Sequence, residues 1–160
     1  MFSHGSTLCG AGEALKSLAA QMQSDGAAPL VRVGFLNFSS PRFGEAFDEC
    51  VASGATRIVV VPYFLVAGYF VKVELPEVLS PARERHPHIE VRVAEAMRDH
   101  RALEDAILSC AQRAQAPAQW RRLLDEAPRW CREDAQCPLF ATPKCPARIV
   151  AGMDGQSTLE

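Results

Sequence analysis

The sequence lacks the excess of positive charge that binding to nucleic acid requires. Its 160 residues carry a formal net charge of −2 and contain no run of lysines and arginines. We therefore expect no nucleic-acid partner and no surface that is drawn to anionic lipid.

Long hydrophobic runs are also missing. The longest apolar stretch, Ile58 to Val71, is too short to span a bilayer and is interrupted by Pro62 and Gly68. The first residues do not form a basic region followed by an apolar one, as a secretory leader does. The sequence therefore predicts a cytoplasmic protein with no membrane partner.

The six cysteines include no C-x2-C pair, and they do not indicate a secreted disulfide scaffold. Cys9, Cys50 and Cys110 fall in predicted helices or just before them, where thiols usually serve as small buried apolar groups. Repeats with a period of 20 to 50 residues are absent as well, which excludes a solenoid.

The strongest positive signal is the segment Arg57 to Pro76. Ile58 to Val61 are consecutive β-branched residues, which is typical of a strand buried on both faces in a parallel sheet. Pro62 ends the strand, and Tyr63 to Phe70 follows as an apolar, aromatic loop. Ligands of open α/β sheets bind outside the carboxyl ends of the strands, so we expect a site at this loop.

The rest of the chain repeats the same alternation. Residues 1–7 look like the end of a strand that runs into a glycine turn, and further strand patterns lie at 30–38, 57–62 and 89–94. They alternate with helix patterns at 12–23, 39–54, 74–86 and 101–115. A hydroxyl cap at Ser39-Ser40 and Pro41 at the first position are expected to begin the second helix. This rhythm predicts an α/β fold with a parallel sheet between helices.

Histidines accompany the carboxyl edge of that sheet. His4 follows the first strand beside Gly5 and Ser6, where it is either a metal ligand or base, or a hydrogen-bonded structural residue. His100 follows the strand at 89–94 and is expected to approach the same edge. His86 and His88 are assigned to solvent at the opposite edge.

Several motifs in this order resemble the sirohydrochlorin chelatase family, the small class II chelatases of the CbiX/SirB type. They span residues 1–115 and are His4-Gly5-Ser6, Val59 to Leu65, Ala67-Gly68, Val71-Lys72, Leu75-Pro76 and His100 with Leu103. The resemblance implies a three-layer, parallel-sheet, chelatase-like (flavodoxin-like) fold. It also implies a homodimeric lyase that inserts cobalt or ferrous iron into the tetrapyrrole sirohydrochlorin, for cobalamin or sirohaem synthesis.

The resemblance also assigns the catalytic groups. His4 matches the family's first metal-binding histidine, and Phe70 occupies the position of the second, where it cannot coordinate a cation. Glu74 keeps the acidic group of the loop end. We therefore expect His4 to act as metal ligand and proton acceptor, with assistance from Glu74.

Binding of the macrocycle is expected at the same edge. The predicted substrate-binding residues are Ser6, Tyr63, Phe64, Gly68, Phe70 and His100. We call Tyr63, Phe64, Leu65, Tyr69 and Phe70 the apolar lip, which either holds the flat macrocycle or is covered by a partner subunit. Arg42, Lys72, Arg98 and Arg101 either bind the acid groups of the substrate or are solvated.

Two further readings differ from a chelatase. Because Phe70 replaces the second histidine, the alternative is a non-catalytic tetrapyrrole- or metal-binding protein of the same fold. A flavodoxin-like regulatory domain is disfavoured, since the sequence has no phosphate-cradling glycine loop and no phospho-acceptor aspartate at a strand end.

The two ends of the sequence differ from the family pattern. Only Met1 to Ser3 precede His4, so the first strand is expected to be truncated and the natural protein to have more apolar residues upstream. Residues 116–160 form a cysteine-rich C-terminal extension after the domain at 1–115, with a short helix at 118–127 and a polar end at 152–160.

The cysteines of this extension follow the spacing Cys131-x5-Cys137-x7-Cys145. They are either free or structural thiols, or ligands of an iron–sulfur cluster or zinc. Three thiolates leave a fourth ligand to find.

Overall fold

A computed structural model of the chain describes residues 1–98, 100–114, 116, 131, 137, 139–145 and 148. Its elements are β1 Phe2–Ser3, α1 Glu13–Ser24, β2 Gly34–Phe35, α2 Phe43–Ala52, β3 Arg57–Val60, α3 Leu75–Arg85, β4 Glu90–Val93 and α4 Ala102–Gln112. A π-helical turn, Phe70–Glu74, leads directly into α3. The helix predicted at 118–127 and the polar end at 152–160 lie outside the described residues. None of the described helices is long and apolar enough to cross a membrane.

The strands run parallel in the order β2-β1-β3-β4. β1 pairs with β2, β3 pairs with β4, and a parallel bridge from Phe2 to Pro62 joins the two pairs. At this bridge the Phe2 N–H donates to the Val61 carbonyl at 2.8 Å, and the Phe2 carbonyl accepts from the Tyr63 N–H at 2.7 Å. The order is that of flavodoxin-like sheets, and it confirms the predicted fold class.

Helices pack on both faces of the sheet, because consecutive side chains of a strand point to opposite faces. At Gly34 an added Cβ would lie 2.8 Å from the Cα of Phe43 in α2, whereas the Phe35 ring packs against Gly12 before α1. The core on the first face contains Phe2, Phe43, Phe47, Val60, Leu75, Leu79, Ala82 and Ile89, and the core on the second contains Leu15, Ala19, Val33 and Phe35. Burial of each large side chain stabilises the fold by about 1.5–3 kcal/mol.

The strand β3 is not buried on both faces, which corrects the prediction. Val60 is 4% exposed, whereas Val59 on the opposite face is 51% exposed. The reason is that Val60 points into the core with α2 and α3, while α4 buries none of its own residues against the sheet. Within the described part of the chain, the face that carries Val59 is therefore open.

Two element boundaries also differ from the prediction. The strand predicted at 30–38 contributes only the two residues of β2, because β1 offers only two residues for pairing. The helix α2 begins at Phe43 and not at residues 39–41. Arg42 is its N-cap, and the Arg42 N–H donates to Glu45 Oε2 at 2.7 Å, which satisfies an end group of the helix.

The cysteines outside the C-terminal extension are less buried than predicted. Cys110 is exposed, since α4 packs loosely, and Cys9 and Cys50 are only partly buried. All six cysteines are free thiols. The interpretation of Cys9, Cys50 and Cys110 as buried apolar groups is therefore wrong.

His86 is not a solvated residue, contrary to the prediction, whereas His88 is exposed. The Nε2 atom of His86 lies 2.8 Å from Asp48 Oδ1, and Arg85 donates to the same oxygen at 3.0 Å. The imidazole of His86 also stacks on Phe47, with 5.9 Å between ring centroids. This cluster ties the end of α3 to α2.

The carboxylate of Asp48 gives folding a predicted dependence on acid. Burial raises the pKa of Asp48, but hydrogen bonds from His86 and Arg85 outweigh burial and hold that pKa below its ordinary value. Such a group stabilises the folded state above its unfolded pKa, near about 4, and this stability is lost as pH falls through the folded pKa. We expect Asp48→Asn to lower Tm by about 2–4 °C at neutral pH, and by less in acid, because a partly exposed pair contributes about 1 kcal/mol.

Thermal melts of the two proteins from about pH 2 to about pH 7 check this expectation. The exposed Glu77 supplies a matched control, since Glu77→Gln removes a charge from α3 outside the cluster. If the Tm difference caused by Asp48→Asn were the same at every pH, the ionised carboxylate would not be what stabilises the cluster.

Candidate functional site

His4 lies at the carboxyl edge of the sheet, directly after β1, and two aromatic rings pack on it. The ring centroid of Phe70 is 4.4 Å from that of His4, and the centroid of Phe38 is 5.7 Å away. The Nδ1 atom of His4 lies 3.2 Å from the Gly5 carbonyl oxygen. In the tautomer with a proton on Nδ1, this carbonyl accepts a hydrogen bond and the Nε2 lone pair can bind a cation.

The turn after His4 requires glycine at position 5. Gly5 has φ +86°, and an added Cβ would lie 1.8 Å from the carbonyl oxygen of Asn37. The Asn37 N–H in turn donates to the His4 carbonyl at 2.8 Å. Close approach of these two backbones fixes the direction in which the chain leaves β1, and with it the place of His4.

Ser6, a predicted substrate-binding residue, braces this loop. Its N–H donates to the hydroxyl of Ser39 at 3.1 Å, and its own hydroxyl accepts from the Leu8 N–H at 3.0 Å. The Ser39 hydroxyl lies 3.4 Å from the Ser6 carbonyl oxygen, to which it donates. The hydroxyl that was expected to cap α2 therefore holds the first loop against the loop after β2.

Phe70 contacts His4 from a π-helical turn at the end of the loop after β3. The carbonyl of Gly68 accepts from the Val71 and Lys72 N–H groups at 3.1 and 2.9 Å, and an added Cβ on Gly68 would meet no atom within 4 Å. Such turns are rare and occur frequently at functional sites. Glu74, the last residue of this turn, is partly buried and lies one turn beyond Phe70.

Aromatic rings continue from Phe70 into the core. Phe64 stacks on Phe70 with 6.0 Å between centroids and contacts the buried Phe2 at 5.7 Å. Tyr69 meets the edge of Phe70 at 6.2 Å. Phe70 and the exposed Tyr69 therefore present apolar surface beside His4, and Phe64 anchors this surface to the core.

A pocket of about 280 Å³ lies on the other side of the first loop. It is lined by Ser3, Gly5, Ser6, Ala11, Gly12, Ala14, Leu15, Phe35 and Tyr63. Pockets that enclose small molecules have volumes of about 300–1,000 Å³, so this one is too small to enclose a macrocycle. The open surface around His4 and the apolar lip is the better place for a flat ligand.

His100 has a structural contact in this protein. Its Nδ1 accepts from the Ala102 N–H at 3.2 Å, so its side chain serves as a cap at the start of α4. The imidazole is exposed, and the rings that pack on His4 within the described residues are those of Phe38 and Phe70. A role of His100 in substrate binding stays a prediction.

Comparison of the sequence with known protein families agrees with the parallel α/β fold described above. Residues 1–114 match the CbiX family. The chain belongs to the CbiX family. Its C-terminal extension, from residue 116 onward, lies outside the matched residues.

Relatives of this CbiX-family chain are named chelatases. It is 33% identical over 86 residues to the sirohydrochlorin cobaltochelatase of Methanocaldococcus jannaschii, covering 54% of this chain and 60% of the relative. It is 37% identical over 67 residues to the sirohydrochlorin ferrochelatase of Priestia megaterium, covering 42% of this chain and 25% of the relative. The matched part thus spans between a quarter and three-fifths of the length of these relatives.

Solved structures show the same relationship. The sirohydrochlorin chelatase SirB of Bacillus subtilis subspecies spizizenii, in complex with cobalt, is 28% identical with a TM-score of 0.56, covering 60% of this chain and 41% of SirB. A cobalamin (vitamin B12) biosynthesis CbiX protein of Marinobacter aquaeolei VT8 has a TM-score of 0.53 at 18% identity, covering 70% of this chain and 91% of that protein. The second likeness concerns the fold alone.

Sequence reasoning missed Phe38 and Ser39 as parts of the CbiX-family site. Phe38 has φ +60°, an uncommon backbone conformation for an aromatic residue, and its ring packs on His4. Both residues lie in the loop after β2, so their position at the carboxyl edge was an available signal. The sequence pattern instead assigned Phe38 to the strand at 30–38 and Ser39 to the helix cap at 39–41, so neither residue was considered for the site.

Proposed function

We propose that this chain is a chelatase, a lyase that inserts cobalt or ferrous iron into sirohydrochlorin in cobalamin or sirohaem biosynthesis. The observation that carries the proposal is the position of His4, with Phe70 at 4.4 Å, on the open carboxyl edge of a CbiX-family domain. The relatives named sirohydrochlorin ferrochelatase and sirohydrochlorin cobaltochelatase support it. Its proposed location is cytoplasmic.

The chemistry asks for groups that bind a cation weakly and accept protons. Insertion requires that the hydrated metal reach one face of the ring, that its waters be replaced, and that two pyrrole protons leave. The Nε2 atom of His4 serves as a transient ligand for the metal and as acceptor for one proton. Glu74 is proposed to accept the second proton, and a single imidazole holds the metal loosely enough for it to depart.

Phe70 is proposed to bind the macrocycle and not the metal. An aromatic side chain has no lone pair for a cation, but its face stacks on a flat conjugated ring and excludes water. Phe38, on another edge of His4, offers a second apolar surface. The acid groups of the substrate would then lie toward exposed cations at the rim, such as Lys72 on the π-helical turn.

The experiment that tests the function follows the absorbance of sirohydrochlorin with Co²⁺ or Fe²⁺ under anaerobic conditions, with and without the protein. We expect the protein to accelerate the spectral change. If it binds sirohydrochlorin without accelerating insertion, the chain is the non-catalytic binding protein that Phe70 in place of a histidine also allows. If it neither binds nor accelerates, the proposed function is wrong.

We also propose that the chain acts as a homodimer, with the apolar lip at the contact. The chain covers 41% of SirB, and its site is open on one side. Leu65 of the lip is 60% exposed, so a second copy that covers it would bury apolar area that a monomer leaves in water.

The dimer proposal predicts that Leu65→Asp raises the dissociation constant by at least about tenfold, because an unpaired carboxylate would be buried at the contact. Ile107→Asp is the matched control, since Ile107 is 66% exposed but lies on α4, outside the lip. Light scattering during size-exclusion chromatography over a range of concentrations measures both. A wild-type protein that stays monomeric, or equal effects of the two substitutions, would contradict the proposal.

A further inference from the structure

The loop that follows β4 brings an arginine to the carboxyl edge of the sheet. At the end of β4 the Ala94 N–H donates to the Val60 carbonyl at 2.9 Å. Further along the loop the Met97 N–H donates to the carbonyl of Phe64 at 3.0 Å. Arg98 therefore lies directly beside the point where this loop contacts the apolar lip.

The backbone of Arg98 has an uncommon conformation. Its φ is +42°, in the region that favours glycine, and the His100 N–H closes a turn by donating to the Met97 carbonyl at 2.9 Å. Arg98 is the first central residue of that turn, where a positive φ usually belongs to Gly, Asn or Asp. Because Ala96 is buried and Met97 is bonded to the lip, the loop is anchored, and the surroundings impose this conformation on Arg98.

The two outer strands of the sheet each lead to a residue of this kind. Phe38, with φ +60°, lies in the loop after β2 and packs its ring on His4, while Arg98 lies in the loop after β4. Between them, Phe64 stacks on Phe70 and Phe70 on His4, with 6.0 and 4.4 Å between centroids. Residues held in sparsely populated conformations cluster at ligand sites, so both positions point to this edge.

The side chain of Arg98 is accessible to a ligand. It is exposed, and within the described part of the chain no carboxylate forms an ion pair with it. Arg42, another cation of this edge, already donates to the Leu36 carbonyl at 2.8 Å. Arg98 can therefore bind an anion that comes from outside the chain.

We propose that Arg98 binds a carboxylate of the tetrapyrrole while the ring of that ligand lies over Phe70 and His4. The guanidinium presents a planar fork of donors that matches the two oxygens of a carboxylate. A flat polyacid fits the edge because it combines a cation with an aromatic surface. This inference rests on the proposed function, since the polyacid concerned is sirohydrochlorin.

Binding at Arg98 orients the macrocycle as well as holding it. Stacking on an aromatic surface leaves a flat ring able to turn in its own plane, whereas a carboxylate held at the rim fixes one edge. A fixed ring keeps its centre in one position relative to Nε2 of His4, and such positioning accelerates a reaction. Loss of Arg98 is therefore expected to lower both the affinity for sirohydrochlorin and the rate of metal insertion.

Titration of the full chain with sirohydrochlorin in the absence of metal, followed by absorbance, tests the inference. We expect Arg98→Gln to raise the dissociation constant about five- to tenfold at low ionic strength, and Arg98→Lys to raise it less. The effect of Arg98→Gln should shrink in about 1 M salt, because salt screens exposed charges. Arg83→Gln is the matched control, since Arg83 is an exposed cation in the last turn of α3, and it should bind as the wild type does.

Arg98→Gly separates binding of the ligand from a structural role. Glycine removes the guanidinium but accepts a positive φ, so Tm should equal that of the wild type or exceed it by up to about 4 °C. The dissociation constant should nevertheless rise as in Arg98→Gln. A lower Tm together with the same loss of affinity would assign Arg98 to the folding of its loop and overturn the inference.

The remaining outcomes distinguish this inference from the proposed function. Equal dissociation constants for Arg98→Gln and the wild type, or an equal loss in Arg83→Gln, would overturn the inference even if metal insertion proceeds. Binding that depends on Arg98 without any insertion of Co²⁺ or Fe²⁺ would support the inference and contradict only the chelatase activity. A wild-type protein that does not bind sirohydrochlorin would overturn both.

Discussion

Replacing His4 by alanine is expected to lower the rate of metal insertion into sirohydrochlorin by at least about a hundredfold. His4 is the imidazole at the carboxyl edge, and its removal takes away both the proposed metal ligand and a proton acceptor, whose loss alone typically costs 10²–10⁴-fold. Because Phe70 occupies the neighbouring position, no second histidine takes over. The anaerobic absorbance assay measures the rates.

The control for this substitution is His88→Ala, which removes an exposed histidine that precedes β4 at the opposite edge. We expect its rate to equal that of the wild type. The free energy of unfolding of His4→Ala should stay within about 1–2 kcal/mol of the wild-type value, since His4 is only partly buried. Equal insertion rates for His4→Ala and wild type would remove His4 from the proposed mechanism.

Gly5→Ala is expected to destabilise the protein by at least about 3 kcal/mol and to abolish insertion. The added methyl group would overlap a backbone oxygen, that of Asn37, at 1.8 Å, and an oxygen of the main chain cannot turn aside as a side chain can. The positive φ of Gly5 adds a cost of its own. Equilibrium unfolding in urea measures the change in free energy.

A substitution at Gly26 separates the cost of the positive φ from the cost of the overlap with the Asn37 oxygen. Gly26 too has a positive φ, of +75°, but an added Cβ there would meet no atom within 4 Å. Gly26→Ala should therefore cost only about 1–2 kcal/mol, the cost of the backbone conformation. If both alanine variants lost the same free energy, contact between the first loop and Asn37 would not be what determines the site.

Contact between His4 and Phe70 changes what the site is expected to do. In this chain a ring, and not a second ligand, faces the imidazole at 4.4 Å, and Phe38 closes another side. Aromatic surfaces on two sides of one histidine favour a flat ring above it over a tightly held ion. Weak retention of the metal suits a protein that must release it.

Much of the site could be predicted from the sequence because its signals are local. The β-branched run at 58–61, the glycine after His4 and the apolar loop at 63–70 each predict an element or a loop without knowledge of distant residues. The parallel order of the elements then brings the loop ends to one edge. The place of His4 and the apolar lip follow from these patterns together.

Other features depend on contacts between distant segments, which local patterns do not report. The exposure of Val59 depends on where α4 packs, and the engagement of His86 depends on Asp48, 38 residues away along the chain. The hydroxyl of Ser39 fits a helix cap in sequence, but in the fold it meets Ser6. In each case the local sequence is compatible with two roles for the residue, and a contact with a distant residue decides between them.

The sequence by itself determined the alternation of strands and helices, the family and the histidine at the first strand end, since these reside in short patterns of residue type. Tertiary structure alone decided that Phe38 and Phe70 pack on that histidine, and that the hydroxyl of Ser39 meets Ser6. The physical reason is that such contacts join loops that are far apart in the chain, and no periodic pattern of residue types shows which loops will meet. Only the parallel sheet and the turns that leave it bring those loops together.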